Sequence, residues 1–190
     1  MKRMNQVILI ASFLPFCWLA FMAFHELGHV MAGWMTGGTI GKVILHPWAI
    51  SRTDVSPNPN PLVTVWAGPI VGILLPLLVW GVFWKFKIRG DYLARFFAGF
   101  CLIANGAYIG IGSFENIGDA GDMMRYGTPI WLLWLFGILT VPLGFLAWHK
   151  LGPKFGLGES NGVVDEWAAY ASLGLFTLLF LATFLLSPRF

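Results

Sequence analysis

Charged residues are scarce in this chain: Asp, Glu, Lys and Arg make up 11% of its 190 residues, whereas 57% are hydrophobic. This balance excludes an ordinary water-soluble domain, which needs a larger polar surface. The net charge of +3 is small, and the Lys and Arg residues lie between apolar runs, where they set topology and meet lipid headgroups. We therefore expect an integral membrane protein whose partners include the lipid bilayer and no nucleic acid.

Cysteine is also rare, because only Cys17 and Cys101 occur and both lie in apolar runs. They predict neither a disulfide nor a thiolate metal site, and we expect two buried hydrophobic side chains. No polar stretch has the length of an appended soluble module. Residues 1–190 are therefore expected to form a single transmembrane domain, with a core over 1–128 and an additional helical hairpin over 129–190.

Long apolar runs are what the chain has instead. The first run follows Met1-Lys2-Arg3 and resembles a signal peptide, but it is too long for one, so we do not expect it to be cleaved. Five segments reach the roughly 20 apolar residues that a membrane-spanning helix needs. The predicted fold class is an all-α integral membrane protein with transmembrane helices near residues 7–35, 62–84, 93–112, 129–148 and 167–187. We expect it to be a multi-pass protein of a prokaryotic cell membrane.

The connection between the first two segments predicts a short β-ribbon after the first helix. It opens with Gly37-Gly38, continues as a strand-like stretch over residues 39–45, and ends in a Pro- and Asn-rich run over 56–61. That last run can be neither helix nor central strand. His46, within the connection, fits either an oxyanion donor or a solvated residue at the membrane interface, and we expect the second.

The first apolar run contains His25-Glu26-Leu27-Gly28-His29, the HELGH motif. Ionisable groups at membrane depth are unfavourable by at least a few kcal/mol each, so they pair, face the bundle interior or bind an ion. Residues four apart share a helix face, which lets His25 and His29 bind one metal ion with Glu26 beside them. This is the HExxH arrangement of zinc metallohydrolases, in which Glu is the general base. The alternative is a polar seam between helices.

Two histidines do not complete a catalytic zinc site, which typically has three protein ligands. No further His or Glu follows the motif closely. Acidic residues do occur in the glycine-rich connection after the third segment, namely Glu115, Asp119 and Asp122. Because the first and third segments end on the same side of the membrane, one of these side chains can reach the histidines. The alternative is a solvated turn that caps a helix.

The chain resembles a minimal site-2 protease, a family of zinc metalloproteases that cut within membranes. Three features carry the resemblance: the HELGH motif, Ala67-Gly68-Pro69 at the start of the second segment, and Asp119-Ala120-Gly121 after the third. The family pattern at the third place is Asp-Gly, often Leu-Asp-Gly-Gly, preceded by Asn-x-x-Pro. Here Ala120 separates Asp from Gly, and the Asn-x-x-Pro approach is missing.

The resemblance implies a zinc metalloendopeptidase that hydrolyses peptide bonds within or near transmembrane segments of membrane-protein substrates. The implied zinc ligands are His25, His29 and Asp119, with Asp122 as an alternative ligand. Glu26 is the implied catalytic base, which takes a proton from the attacking water and returns it to the leaving amine.

The resemblance also gives the ribbon a role in holding an unwound substrate, through Gly37, Gly38 and an exposed strand edge. The alternative is a plain surface connection. Asn105, in the third segment, fits either a hydrogen bond to the substrate backbone or one between two helices.

Other functions and both orientations stay open at the level of sequence. A membrane metal-binding or transport protein could use the same residues, and so could a non-catalytic protease homologue. Lys and Arg are denser on the side of the N-terminus, which the positive-inside rule makes cytoplasmic. That rule places the metal nearer the outer face, whereas the resemblance places it nearer the cytosol. The sequence indicates no particular oligomeric state.

Overall fold

The structure is a computed structural model and describes residues 2–187. In chain order its elements are α1 (Lys2–Met35), β1 (Ile40–Ile44), β2 (Arg52–Val55), α2 (Pro61–Lys85), α3 (Asp91–Glu115), α4 (Gly118–Arg125), α5 (Ile130–Trp148) and α6 (Glu166–Leu186). Short 3-10 turns over Gly152–Phe155 and Gly158–Ser160 connect α5 to α6. Helices α1, α2, α3, α5 and α6 are each long and apolar enough to cross a membrane. The predicted fold class, with five such helices and a β-ribbon after the first, is confirmed.

The short helix α4 stands where the sequence predicted only an acidic turn. It is hydrophilic and eight residues long, so hydropathy gives no sign of it. Its Ala120 and Met123 are three residues apart and fully buried against Val65, Ile109 and Leu133. Residues at this spacing share a helix face, and burial of that face is what makes the segment helical.

The largest hydrophobic core joins α1, α3 and α6 with the turn that follows α5. Cys17 and Cys101 lie in this core as free, fully buried cysteines, as the sequence predicted. Helix α5 packs against α3, and α6 packs against α1. The last two long helices therefore have different packing partners, and the predicted division at residue 128 stays a prediction.

The close contact between α3 and α5 depends on small residues. A side chain at Gly137 would meet the carbonyl oxygen of Gly106 at 2.9 Å, and one at Gly99 would meet the carbonyl oxygen of Gly144 at 3.0 Å. Small residues let helix backbones approach each other where burial from lipid gives little driving force for association.

The ribbon is an antiparallel pair in which Ile40 faces Val55 and Val43 faces Thr53. Its connecting loop packs against the end of α6, because the Leu45 amide donates a hydrogen bond to Ser187 Oγ at 2.8 Å. His46 lies in the same loop with its ring 5.2 Å from that of Phe184.

The prediction of a solvated His46 is wrong, since only 5% of the residue is exposed. The apolar end of α6 covers it, and nothing in the local sequence around His46 indicates that contact.

Candidate metal centre

Two histidines and one aspartate meet inside the bundle. His25 and His29 lie one turn apart on α1, and Asp119 lies in the first turn of α4. His25 Nε2 is 2.7 Å from Asp119 Oδ2, His29 Nε2 is 3.1 Å from His25 Nε2, and His29 Nε2 is 3.4 Å from Asp119 Oδ2. Within residues 2–187, this is the group of side chains whose ligand atoms lie close enough together to hold a metal ion.

The spacing and chemistry of these three atoms fit zinc. Tetrahedral zinc with bonds of about 2.0–2.1 Å to nitrogen and oxygen separates its ligand atoms by about 3.3–3.4 Å. The separations of 3.1 and 3.4 Å from His29 Nε2 to His25 Nε2 and Asp119 Oδ2 are close to that value, and the 2.7 Å between His25 Nε2 and Asp119 Oδ2 would widen by about 0.6 Å around an ion. Three such ligands leave one position open, as in catalytic rather than structural zinc sites.

Hydrogen bonds on the far side of each imidazole fix how the two histidines are turned. His25 Nδ1 is 2.8 Å from Asn105 Oδ1, and His29 Nδ1 is 2.8 Å from the Thr64 carbonyl oxygen. Both partners are acceptors, so each Nδ1 carries the proton and each Nε2 directs its lone pair into the cluster. The imidazoles are thus arranged as metal ligands.

Asn105 is fully buried and uses both ends of its amide inside the protein. Its Nδ2 donates to the Cys101 carbonyl oxygen at 2.9 Å, which directs its Oδ1 to His25. Of the two roles predicted for Asn105, the structure shows the hydrogen bond between helices.

The Asp119 carboxylate is ionised in this setting. Burial raises the pKa of the carboxyl, but hydrogen bonds from His25 and His29, when their imidazoles are protonated, lower that pKa by more, so it lies below the ordinary range. Its place in the first turn of α4 also favours negative charge. The Asp119 amide donates to the Tyr108 hydroxyl oxygen at 3.2 Å, which ties the start of α4 to α3.

Glu26 is next to His25 on α1 and is only 3% exposed. Its Oε2 accepts a hydrogen bond from the Thr53 hydroxyl at 2.8 Å. The carboxylate lines the same cavity as the His25, His29 and Asp119 side chains. The sequence placed Glu26 beside the metal ligands, but it did not indicate Thr53 as its partner.

Glycines bring α1 and α2 together at the cluster. A Cβ at Gly28 would collide with the backbone of Ala67, and a Cβ at Gly68 would collide with the His29 ring and lie 2.9 Å from His25 Nε2. This contact explains physically why a glycine stands at the centre of Ala67-Gly68-Pro69. Gly68 has no side chain, so it leaves room for the imidazoles of His25 and His29.

The other predicted site residues lie outside the cluster. Asp122 lines the cavity, but its Oδ1 accepts a hydrogen bond from Arg125 at 2.8 Å. Glu115 is exposed at the last residue of α3. Gly37 and Gly38 form the turn between α1 and β1, and the Gly38 amide donates to the Gly33 carbonyl oxygen. In the described chain neither glycine is among the residues that line the cavity.

The cavity has a volume of about 1170 Å³ and lies between α1, α3 and the ribbon. Its lining includes the apolar side chains of Trp18, Phe21, Met22 and Trp48 as well as the three residues of the cluster. Thr53 and Tyr108 also line it, and sequence reasoning missed both. Their partners are 27 and 11 residues away along the chain, and no local pattern marks such pairs.

We expect Asn105→Leu to lower the affinity for zinc about 10- to 100-fold, the usual effect of removing a partner that orients a metal ligand. Leucine has a similar volume but leaves His25 Nδ1 without an acceptor. A competition titration with a zinc chelator measures the change. Ser172→Ala is the control, because Ser172 is buried in α6 without a hydrogen-bond partner. Equal affinities for Asn105→Leu and the wild type would contradict the orienting role.

Five helices long and apolar enough to cross a membrane, with a His-His-Asp group that could hold a metal ion, define a multi-pass membrane protein with a candidate metal centre. The chain matches the model of the Peptidase M50B-like family over residues 5–105, and it belongs to that family. The match includes the HELGH motif and Ala67-Gly68-Pro69, and it agrees with the resemblance to site-2 proteases. Asp119 lies beyond the matched residues, and the geometry of the structure associates it with the histidines. Comparisons with curated proteins and with solved structures found no match.

Proposed function

We propose that this protein is an intramembrane zinc metalloprotease that hydrolyses peptide bonds within or next to transmembrane segments of membrane-protein substrates. One observation carries the proposal. His25, His29 and Asp119 converge, with Glu26 beside them, in a cavity between apolar helices and the ribbon. Membership of the Peptidase M50B-like family supports the same chemistry.

The residues of the site divide into three metal ligands and one general base. His25, His29 and Asp119 would hold a zinc ion, which would supply Lewis-acid activation of water and of the scissile carbonyl. Glu26 accepts a proton from the attacking water as the new C–O bond forms. It then delivers that proton to the amine nitrogen as the C–N bond breaks. Burial of Glu26 and its single-residue separation from His25 support this assignment.

The cavity is suited to a substrate segment that has lost its helical hydrogen bonds. A peptide group inside an intact helix is already hydrogen-bonded and shielded, so it must be unwound before hydrolysis. Residues 52–56, which include β2, line the cavity beside the cluster. An unwound segment can pair with such a strand through main-chain hydrogen bonds.

A designed peptide tests the proposal without a known natural substrate. We would use about 20 Leu and Ala residues with a central Asn-Pro, flanked by Lys, which is long enough to span a membrane and weak as a helix at its centre. We expect the purified zinc-loaded protein to cleave it near the centre, as measured by mass spectrometry. A chelator should stop cleavage, and added zinc should restore it. Bound zinc without cleavage of this peptide would instead favour the metal-binding or transport function.

The metal content of variants tests the ligand set directly. We expect about one zinc per chain in the wild type and loss of zinc in both His29→Ala and Asp119→Ala, determined by elemental analysis. Asp122→Ala is the matched control, since Asp122 is paired with Arg125, and it should keep its zinc. Loss in His29→Ala but not in Asp119→Ala would move the third ligand to Asp122 or Glu115.

A further inference from the structure

A hydroxyl group on the ribbon contacts the carboxylate of Glu26. Thr53 Oγ1 donates to Glu26 Oε2 at 2.8 Å across a separation of 27 residues in the chain. We infer that Thr53 is a positioning residue, which holds the Glu26 carboxylate in the orientation needed to take a proton. This inference rests on the proposed function, because it gives Glu26 the role of general base.

The chemistry of the pair favours positioning over simple packing. A carboxylate has two oxygens, and a donor on Oε2 stops rotation of the group while leaving Oε1 to act. A buried charged group without such a donor is strongly unfavourable, and only 3% of Glu26 is exposed. Thr53 is β-branched, so its χ1 angle is restricted and its hydroxyl direction is well defined.

The backbone of the ribbon directs Thr53 toward α1. Alternate side chains of a strand point to opposite faces, and along β2 Arg52 and Asp54 are exposed while Thr53 and Val55 are half-buried. Val55 packs against Gly33 of α1: a Cβ at Gly33 would lie 3.2 Å from each methyl group of Val55. This contact sets β2 against α1 so that Thr53 reaches Glu26. Strand β2 therefore both lines the cavity and holds the Glu26 carboxylate in place.

Kinetics of two substitutions separate the hydroxyl from the rest of the side chain. Thr53→Val keeps the shape but removes the donor, and we expect kcat on the Lys-flanked peptide to fall about 10- to 100-fold, as for loss of a hydrogen bond to a charged group. KM and zinc content should stay unchanged. Thr53→Ser keeps the donor and should restore kcat to within about threefold of wild type. Lys42→Ala, exposed on β1, is the ribbon control and should have no effect.

Hydrogen exchange provides a readout that does not depend on cleavage. In the metal-free full chain we expect Thr53→Val and Glu26→Ala each to speed amide exchange in residues 40–55 about tenfold, because each removes the same hydrogen bond between ribbon and α1. The double variant should exchange no faster than either single variant, since the effects of directly interacting residues do not add.

The outcomes distinguish the two proposals. A wild type that cleaves, together with Thr53→Val at the wild-type kcat, overturns the positioning role and leaves the proposed function standing. Unchanged exchange in Glu26→Ala, or additive effects in the double variant, also overturns it. A zinc-loaded wild type that does not cleave the peptide overturns the proposed function and the kinetic role with it. The hydrogen-exchange result then still shows whether the Thr53 hydroxyl holds the Glu26 carboxylate in place.

Discussion

Glu26→Gln is expected to keep its zinc and to hydrolyse the Lys-flanked peptide about 10²- to 10⁴-fold more slowly than wild type, the range that general-base catalysis contributes. Glutamine has the same shape, and its side-chain carbonyl can still accept the Thr53 hydroxyl hydrogen bond that Glu26 accepts at 2.8 Å. It cannot accept a proton from water at neutral pH. The variant therefore removes the chemistry while leaving the packing of α1 and the ribbon in place.

The measurement pairs initial cleavage rates with elemental analysis on the same preparations. Glu159→Gln is the matched control, because Glu159 is exposed in the turn between α5 and α6, and it should cleave at the wild-type rate. If Glu26→Gln cleaved as fast as the wild type, the assignment of the base would be wrong. If it lost zinc as well as activity, Glu26 would contribute to the metal site itself.

Gly68→Ala is expected to reduce zinc affinity by about 100-fold or more, comparable to the loss of support for a metal ligand. The added Cβ would collide with the His29 ring and lie 2.9 Å from His25 Nε2. Neither imidazole can turn away freely, because the Nδ1 of each is held at 2.8 Å by an acceptor on α3 or α2. One methyl group on α2 should therefore disrupt a metal site that contains no residue of α2.

A chelator competition titration measures the loss, and the unfolding temperature shows whether the bundle remains folded. Gly81→Ala is a demanding control, since Gly81 lies in the same helix and a Cβ there meets nothing within 4 Å. Alanine is the better helix former, so this variant should keep its zinc and lose no stability. Wild-type zinc affinity in Gly68→Ala would show that α1 and α2 can separate enough to accommodate the methyl group.

The membrane-spanning helices and the histidine pair were predictable because both follow from local rules. A run of about 20 apolar residues is long enough to span a bilayer wherever it occurs. Two residues four apart on a helix face the same way whatever surrounds them, which brings His25 and His29 to one side of α1. The HELGH motif thus specified two of the three members of the polar cluster before any tertiary contact was known.

The acidic member of the cluster was left open because it depends on a short helix that the sequence does not reveal. Asp119 and Asp122 are separated by three residues in α4. The burial of Ala120 and Met123 sets how that helix is turned. Because Asp119 and Asp122 face the same side of α4, position along the helix decides between them. Asp119, in the first turn, reaches the histidines, whereas Asp122, one turn later, pairs with Arg125.

From the sequence alone came the class of fold, the five apolar helices, the histidine pair and the glutamate beside it. Only the tertiary structure decided which aspartate reaches the histidines, that Asn105 and Thr64 orient them, and that Thr53 contacts Glu26. The physical reason is range. Helical periodicity fixes neighbours within one or two turns, but contacts between elements depend on how side chains of several helices pack at once, which no single segment encodes.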